Sequence, residues 1–228
     1  QQADGHARNI VGAAQIVGRI DFHPCDLTDP GATASAVDRS RPDVIFHLAS
    51  CADVQASFRE PVRVLSGNIP GTQNLLEAVR HHHPEAMVQI CSTSEVYGKV
   101  PLEENPITER QPLNPSNPYS LSKATQDMMG RIYHACYGLK VVTTRAFGYI
   151  NPRRPDLCVS SFARQIVRIE RGLQAKLRHG NLSSVRSMSD VRDIAKAYWL
   201  AAERGEPGEV YNIGGTRSLA NRDLGRFS

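Results

Sequence analysis

The stretch Asp43-Val44-Ile45-Phe46-His47-Leu48-Ala49-Ser50 decides the fold class. Its apolar residues follow one another without the alternation of a half-exposed strand, which is typical of a strand buried on both faces. Strands that alternate with helices predict an α/β fold with a doubly wound parallel sheet. Such runs recur along the chain, with helical periodicity between them, as RIDFHPC (19–25), AMVQIC (86–91), KVVTTRAF (140–147) and EVYNI (209–213).

Local signals mark the predicted helices. A capping box over 57–60 opens a helix that runs towards Arg80. Pro70 lies inside this helix and is expected to kink or split it, because proline removes a backbone donor. The other predicted helices are 30–39, capped by Thr28 or Asp29, then 119–137, closed by Gly138, then 159–171, 190–203 and a last one that begins near Ser218.

Composition and charge exclude several classes of protein. Of the 228 residues, 40% are hydrophobic and 22% are charged, so the chain can bury a core and is not expected to be disordered. The formal net charge is +4 and no basic stripe is visible, which argues against a nucleic-acid binder. No apolar run approaches the roughly 18 residues of a membrane span. We therefore expect neither nucleic acid nor a membrane as a partner.

Cysteine and histidine usage argues against a metal site. The five Cys form no close pair, so neither a disulfide framework nor a zinc site is expected, and a cytoplasmic location is the natural interpretation. His81, His82 and His83 are adjacent, and adjacent helical residues point in different directions, so they are poorly arranged to share a metal.

Tyr119 and Lys123 are the first candidates for chemistry. Four residues apart on a helix, they lie on one face, and a nearby ammonium group favours the phenolate and lowers the pKa of a tyrosine. The pair is therefore suited to moving a proton to or from an alcohol. On the spacing alone, a surface tyrosine beside a solvated lysine is the favoured interpretation.

Hydroxyl and carboxylate side chains follow the strand at 86–91. The run Ser92-Thr93-Ser94-Glu95 offers hydrogen-bond donors, acceptors and a base at the carboxyl end of a strand, the edge where open α/β sheets bind ligands. A turn that merely ends the strand is the alternative. The small residues that follow the strand at 43–50 would let a flat cofactor approach the backbone.

Taken in order, these elements resemble the extended short-chain dehydrogenase/reductase family over nearly the whole chain. The run Asn117-Pro118-Tyr119-Ser120-Leu121-Ser122-Lys123 is similar to the segment that carries the catalytic Tyr and Lys of this family. The resemblance implies a Rossmann-like sheet, NADP or NAD as the cofactor, and Thr93, Tyr119 and Lys123 as catalytic residues. It also implies cofactor contacts from Asp26, Leu27, Leu48, Ala49, Tyr119 and Lys123.

Within this family the chain resembles the GDP-mannose group. The dehydratases of that group use Thr-x-Glu, and Thr93-Ser94-Glu95 matches this pattern, which implies Glu95 as a fourth catalytic residue. The family usually has Asn at the position of Gly148, so the chain departs from it there. The substrate contacts implied by the resemblance are Ser94, Gly148, Arg154, Asn181 and Arg186.

The function implied is that of a nucleotide-sugar 4,6-dehydratase, a lyase that converts GDP-mannose to GDP-4-keto-6-deoxymannose through an internal hydride cycle. One alternative is a GDP-4-keto-6-deoxymannose reductase or a nucleotide-sugar epimerase. A second alternative is a truncated, non-catalytic relative that only binds a nucleotide or a partner. A GDP-hexose is the expected substrate, and a homodimer or homotetramer is the expected assembly.

The glycine-rich turn that opens a dinucleotide-binding sheet is not visible. Gly5, Gly12 and Gly18 lack the G-x-G-x-x-G spacing, so we expect the first strand and its turn to be missing. The chain alone is then expected to bind a dinucleotide weakly and to self-associate. The predicted division is an incomplete dinucleotide-binding domain over 1–150 and a smaller, incomplete substrate-binding segment over 151–228.

Overall fold

The structure is a computed structural model that describes residues 19–216 and 218–226. Its helices are α1 (Pro30–Ser40), α2 (Val54–Arg59), α3 (Pro61–His82), α4 (Pro118–Tyr137), α5 (Cys158–Glu170) and α6 (Val191–Arg204). Its strands are β1 (Val44–His47), β2 (Met87–Thr93), β3 (Val141–Ala146), β4 (Tyr149–Ile150), β5 (Val185–Ser187), β6 (Ser189–Asp190), β7 (Val210–Ile213) and β8 (Ser218–Ala220). Short 3₁₀ turns cover Ser94–Tyr97, Leu102–Glu104 and Asn221–Arg226.

A four-stranded parallel sheet lies at the centre, in the order β1-β2-β3-β7. Ile90 of β2 lies against Gly130 of α4, whereas the next residue, Cys91, contacts Tyr198 of α6. Because successive strand residues point to opposite faces, helices cover the sheet on both sides. The prediction of a doubly wound α/β sheet is confirmed.

The hydrophobic core lies between the sheet and the layer formed by α1, α3 and α4. Leu76 and Val79 of α3 are fully buried against Val88 and Ile90 of β2. This packing joins helix α3 to the centre of the sheet. It therefore holds the carboxyl ends of the parallel strands in register, which is where ligands bind in this architecture.

Two predicted helix ends are confirmed by their capping contacts. The Asp29 carboxylate accepts hydrogen bonds from the backbone N–H groups of Gly31 and Ala32 at the start of α1. Gly138 ends α4 with a φ of 70°, in the left-handed region that glycine adopts without a steric penalty.

The predicted capping box over 57–60 is wrong, and the helix is not split at Pro70. The Ser57 hydroxyl donates to the carbonyl of Val54, and Asp53 caps the short helix α2 instead. Helix α3 then runs unbroken through Pro70. Packing of α3 against α1 and α4 outweighs the loss of one backbone donor, since tertiary contacts supply most helix stability in proteins.

Two predicted elements at the ends of the chain are also wrong. Residues 19–25 form no strand, because no described segment runs beside them to complete a ladder. The helix expected from Ser218 is instead strand β8, which pairs antiparallel with β5. A ladder with a distant partner there overrides the local helical pattern.

The segment after residue 150 returns to the central sheet. Strand β7 pairs with β3, and α6 packs on β2 and β3. The predicted boundary between 150 and 151 stays a prediction. Within the described residues, no helix is both long and apolar enough to cross a membrane.

Candidate active site

A cleft of about 490 Å³ opens at the carboxyl ends of the parallel strands. Nine of the predicted site residues line it, and five of these come from the end of β2 and the start of α4, namely Thr93, Ser94, Glu95, Tyr119 and Lys123. The cleft lies where β2 and β3 end and where α4 begins, so the topology of the sheet brings the hydroxyl run after β2 next to the first turn of α4.

Lys123 is buried beneath the cleft and held by the backbone of β2. Its Nζ donates a hydrogen bond of 2.6 Å to the carbonyl oxygen of Cys91. Burial lowers the pKa of Lys123, because the charged form loses solvation. The side chain is therefore anchored at the end of β2, one helical turn from Tyr119.

Tyr119 departs from the expectation that Lys123 lowers its pKa. Burial raises the pKa of Tyr119 above its ordinary value, and the neighbouring Cys91 and Glu95 raise it further. The positive charge that opposes this rise is that of Arg154. Desolvation of the phenolate is the largest influence on this pKa, and the spacing of the two residues does not reveal it.

Thr93 and Glu95 occupy the turn that follows β2. The Thr93 hydroxyl accepts a hydrogen bond of 3.3 Å from the backbone N–H of Glu95 and so caps the 3₁₀ turn. The Glu95 carboxylate accepts a bond of 3.1 Å from the side-chain amide of Asn117. Both side chains face the same cleft as Tyr119. The arrangement places a carboxylate base and a hydroxyl donor opposite a phenol.

A buried ionic network lies directly behind this turn. Arg145 donates two parallel bonds to the Asp127 carboxylate, of 2.7 and 2.9 Å, and a third of 2.9 Å to the Tyr97 hydroxyl. Tyr97 in turn donates to the side-chain oxygen of Asn212 on β7. The network ties the end of the turn to α4, β3 and β7.

A second polar network holds the loop after β1. The Asn68 side chain accepts the backbone N–H of Cys51 at 2.7 Å and donates to the Ser122 hydroxyl at 2.9 Å. His47 contacts Thr72 at 2.8 Å, and burial, reinforced by the charge of Lys123, lowers the pKa of His47 to about 3. The loop and helix α4 are thus held by one buried neighbour, helix α3.

The predicted cofactor residues separate into two groups. Leu48 lines the cleft and is 55% exposed, whereas Ala49 is not among the lining residues. Asp26 and Leu27 are not among the lining residues; both precede α1, and Leu27 contacts α3. The Asp26 carboxylate bonds to Thr28, which lowers its pKa, and the Leu27 carbonyl accepts from Asn74 at 2.8 Å. The predicted absence of a Gly-rich turn concerns residues 1–18, which lie outside the described residues.

The predicted substrate residues also separate. Ser94, Gly148, Arg154 and Arg186 line the cleft. Asn181 does not, because its side-chain oxygen accepts the N–H of Ser183 within a turn. At Gly148 a Cβ atom would lie 2.4 Å from the carbonyl oxygen of Ser187, so the approach of β5 leaves room only for glycine.

Several lining residues were not singled out from the sequence. The Tyr198 hydroxyl contacts the Cys91 sulfur at 3.0 Å, and Tyr149 and Cys158 also line the cleft. Asn117 was noted only as part of a motif, although an N-cap residue directly before the Tyr-Lys helix is a signal that its side chain lies at the cleft. No group of three or more His, Cys, Asp or Glu within the described ranges is placed to hold a metal ion.

Comparisons with known proteins show which family the chain resembles. The family described as GDP-mannose 4,6 dehydratase matches residues 3–227. GDP-6-deoxy-D-mannose reductase from Pseudomonas aeruginosa is 34% identical over 204 residues, which covers 89% of this chain and 67% of the relative. dTDP-glucose 4,6-dehydratase from Streptomyces griseus is 36% identical over 223 residues, covering 96% of this chain and 65% of the relative. The chain thus spans about two thirds of the length of these relatives.

Solved structures that are similar to this chain come from the same family of enzymes. RMD from Pseudomonas aeruginosa, complexed with NADPH, superposes with a TM-score of 0.84 at 30% identity, over 96% of this chain and 76% of the other. DesIV, a dTDP-glucose 4,6-dehydratase from Streptomyces venezuelae with NAD bound, gives a TM-score of 0.86 at 30% identity, over 96% and 66%. The chain therefore belongs to the extended short-chain dehydrogenase/reductase family, the NAD-dependent epimerases and dehydratases of nucleotide sugars.

Proposed function

We propose that the protein is a nucleotide-sugar 4,6-dehydratase that acts on GDP-mannose. The observation that carries this proposal is the Glu95 carboxylate in the same cleft as Thr93, Tyr119 and Lys123. Elimination of water across C5 and C6 of a 4-keto sugar requires a base for the C5 proton, and Glu95 is the carboxylate that lines the cleft among the described residues. A carbonyl reductase needs no such base.

The cleft fits the nicotinamide end of NADP or NAD. The hydroxyls of Ser50 and Ser92 line it, are shielded from solvent and have no hydrogen-bond partner within the described chain, so they are available to a ligand. Lys123 and Leu48 would hold the cofactor next to Tyr119. When bound, such a cofactor supplies a hydride acceptor for C4 of the sugar and a hydride donor for C6.

The protein side chains divide the proton transfers between them. The Thr93 hydroxyl bonds the C4 oxygen, and Tyr119 takes the proton of the C4 hydroxyl as the ketone forms. The 4-keto group acidifies C5, so that Glu95 removes the C5 proton and assists departure of water from C6. Burial raises the pKa of Tyr119, so a positive charge must favour the phenolate, and in this proposal Arg154 supplies that charge.

The nucleotide end of the substrate is assigned to the region after residue 150. Arg186 lines the main cleft and suits a diphosphate, because a guanidinium binds phosphate oxygens in pairs. A second cleft of about 570 Å³ beside α5 contains Arg168 and Arg178. Helix α5 links the two, since Cys158 lines the first and Ser161 lines the second. The GDP-mannose description of the matching family supports GDP as the carrier.

A homodimer is the assembly we propose. Leu121, Met128 and Ile132 form an exposed apolar stripe along α4, on the side opposite its buried residues. Apolar residues at this spacing on one helix face are typical of a helix that packs against another. Light scattering of the purified protein gives its mass in solution, and a monomer at micromolar concentration would contradict the proposal.

A 4-keto-6-deoxymannose reductase is the second candidate, favoured by the 34% identical reductase. The substitution Glu95→Gln separates the two activities. The introduced amide would keep an oxygen that accepts the hydrogen bond from Asn117, but it cannot remove a proton. The rate of GDP-mannose dehydration should therefore fall by about 10²–10⁴-fold. Reduced cofactor should then accumulate and absorb in the near ultraviolet.

The matched control is Glu103→Gln, which makes the same change in an exposed 3₁₀ turn. Products are measured by mass spectrometry with GDP-mannose and with dTDP-glucose as substrates. Undiminished dehydration in the Glu95 variant would remove Glu95 as the base. A wild-type protein that only reduces the 4-keto sugar would establish the reductase instead.

A further inference from the structure

Asn117 uses both ends of its side-chain amide. Its oxygen accepts a bond of 2.8 Å from the backbone N–H of Ser120 and thereby caps α4. Its nitrogen donates a bond of 3.1 Å to Oε2 of Glu95. One side chain therefore joins the first turn of the helix that carries Tyr119 to the carboxylate that follows β2.

The orientation of this amide is determined by its partners. A backbone N–H can only donate, so the amide oxygen must face Ser120. An ionised carboxylate can only accept, so the amide nitrogen must face Glu95. The reverse orientation would leave two donors facing each other at one end and two acceptors at the other. The helix cap thus dictates that a donor points at Glu95.

The turn that carries Glu95 is already fixed at its two ends. Thr93 caps it at the start, and Tyr97 at its end is fully buried and bonded to Arg145 and Asn212. The backbone of Glu95 is therefore set by the sheet, and the freedom that remains lies in its side-chain torsions. Among the described residues, the bond from Asn117 is the one that restrains the carboxylate itself.

We propose that Asn117 is a positioning residue that couples Glu95 to the helix bearing Tyr119 and Lys123. By restraining Oε2, it leaves Oε1 available for the proton at C5 and keeps the base at a constant distance from the phenol. This inference rests on the proposed dehydration. A misplacement of about 1 Å is enough to slow an enzymatic step by about 10²-fold, so the restraint is expected to matter for the elimination step.

Asn117→Ser and Asn117→Asp test this coupling. Serine and aspartate are both good N-cap residues, so α4 keeps its cap in either variant. Serine lacks the amide donor, and aspartate places a second carboxylate against Glu95. We expect elimination to slow by about tenfold with serine and further with aspartate, while single-turnover reduction of the cofactor changes less than about twofold. Reduced cofactor should therefore accumulate during turnover.

The matched control is Ser120→Ala. It removes the other half of the same capping box, in which the Ser120 hydroxyl accepts the N–H of Asn117, and leaves the bond to Glu95 in place. A merely structural role would make the Ser120 and Asn117 variants slow both steps alike. Equal slowing of both steps, or unchanged elimination in Asn117→Ser, would overturn the proposal.

A stability measurement tests the contact without relying on any activity. Urea unfolding is measured for the wild type, Asn117→Ser, Glu95→Ala and the double variant. A charge-assisted bond predicts that Asn117→Ser lowers the folding equilibrium constant by about fivefold more when Glu95 is present than when it is Ala. Equal effects in the two backgrounds would overturn the coupling. A wild type that forms no dehydrated product would refute the proposed function and leave this result standing.

Discussion

Two arginine–aspartate pairs flank the cleft, with similar geometry and very different surroundings. Arg145 and Asp127 lie behind the turn after β2, and their side chains are 2% and 0% exposed. Arg154 and Asp156 lie in the loop before α5, and their side chains are 33% and 41% exposed. Each arginine donates two bonds to its aspartate. The first pair is part of the protein interior, whereas the second presents a cation to the cleft.

The difference between these pairs extends to the regions around them. The region of β2, β3 and α4 buries many polar side chains, and Asp127 and Arg145 among them are held in a hydrogen-bonded network. The segment from 151 to 186 is largely exposed, and α5 buries only Ser160. We infer that the first region holds the reacting groups in place, and that the second recognises the substrate through charges that remain accessible.

The largest effect is expected from Tyr119→Phe. The Tyr119 hydroxyl makes no hydrogen bond to a described protein group, so its loss should leave the fold intact. Catalytic proton transfer is worth about 10²–10⁴-fold in rate, and turnover should fall by that factor. Steady-state kinetics and the thermal midpoint are measured together. More than a tenth of the wild-type activity in a folded variant would refute the role assigned to Tyr119.

The next effect compares the two ion pairs directly. Asp127→Asn leaves the buried charge of Arg145 without its counter-ion, which is expected to cost about 3–5 kcal/mol of the free energy of unfolding. Asp156→Asn breaks a solvent-screened pair and should cost less than about 1 kcal/mol. Urea denaturation measures both. Equal losses of unfolding free energy would show that burial does not distinguish the two pairs. As a control, the double variant Asp127→Leu with Arg145→Leu removes both buried charges and should recover most of the stability lost in Asp127→Asn.

The smallest effect concerns the pH dependence of stability around His47. Burial lowers its pKa from 6.5 to about 3 in the folded protein, so the unfolded chain binds a proton between these values and the folded protein does not. Stability contributed by the neutral ring is present above pH 6.5 and is lost as the pH falls towards 3. The loss reaches about 2 kcal/mol at about pH 5.

His47→Gln removes this titration and is expected to flatten the fall in stability between about pH 6.5 and about pH 4. Its cost at about pH 8 measures the lost contact with Thr72, so the change in slope isolates the proton. An unchanged slope would show that His47 is protonated in the folded state and that its surroundings are wetter than the buried network indicates.

Much of the parallel sheet was predictable because its signals are local. Continuous apolar runs indicated β1, β2, β3 and β7 within a few residues, and short-range caps such as Asp29 and Gly138 marked the ends of helices. The convergence of Thr93, Glu95, Tyr119 and Lys123 was implied by the family resemblance. Sheet geometry by itself accounts for Thr93 and Glu95, because the carboxyl ends of the strands in a parallel sheet share one edge.

Other features depend on partners that are distant in sequence. Strand β8 forms because it pairs with β5. Helix α3 continues through Pro70 because it packs against α1 and α4. The bond from Asn117 to Glu95 and the opposing effect of Arg154 on the pKa of Tyr119 belong to the same class.

The order of strands and helices and the identity of the chemical groups at the cleft follow from the chain itself, because side-chain periodicity and local hydrogen bonding act over a few residues. Which of those groups are desolvated, and which neighbour restrains each of them, depends on how elements far apart in the chain pack together. Burial raises the pKa of Tyr119 and lowers that of Lys123, whereas the spacing of the two residues predicts only that they share a helix face. Solvation is a property of the assembled layers, and it therefore appears only once α4 lies on the sheet.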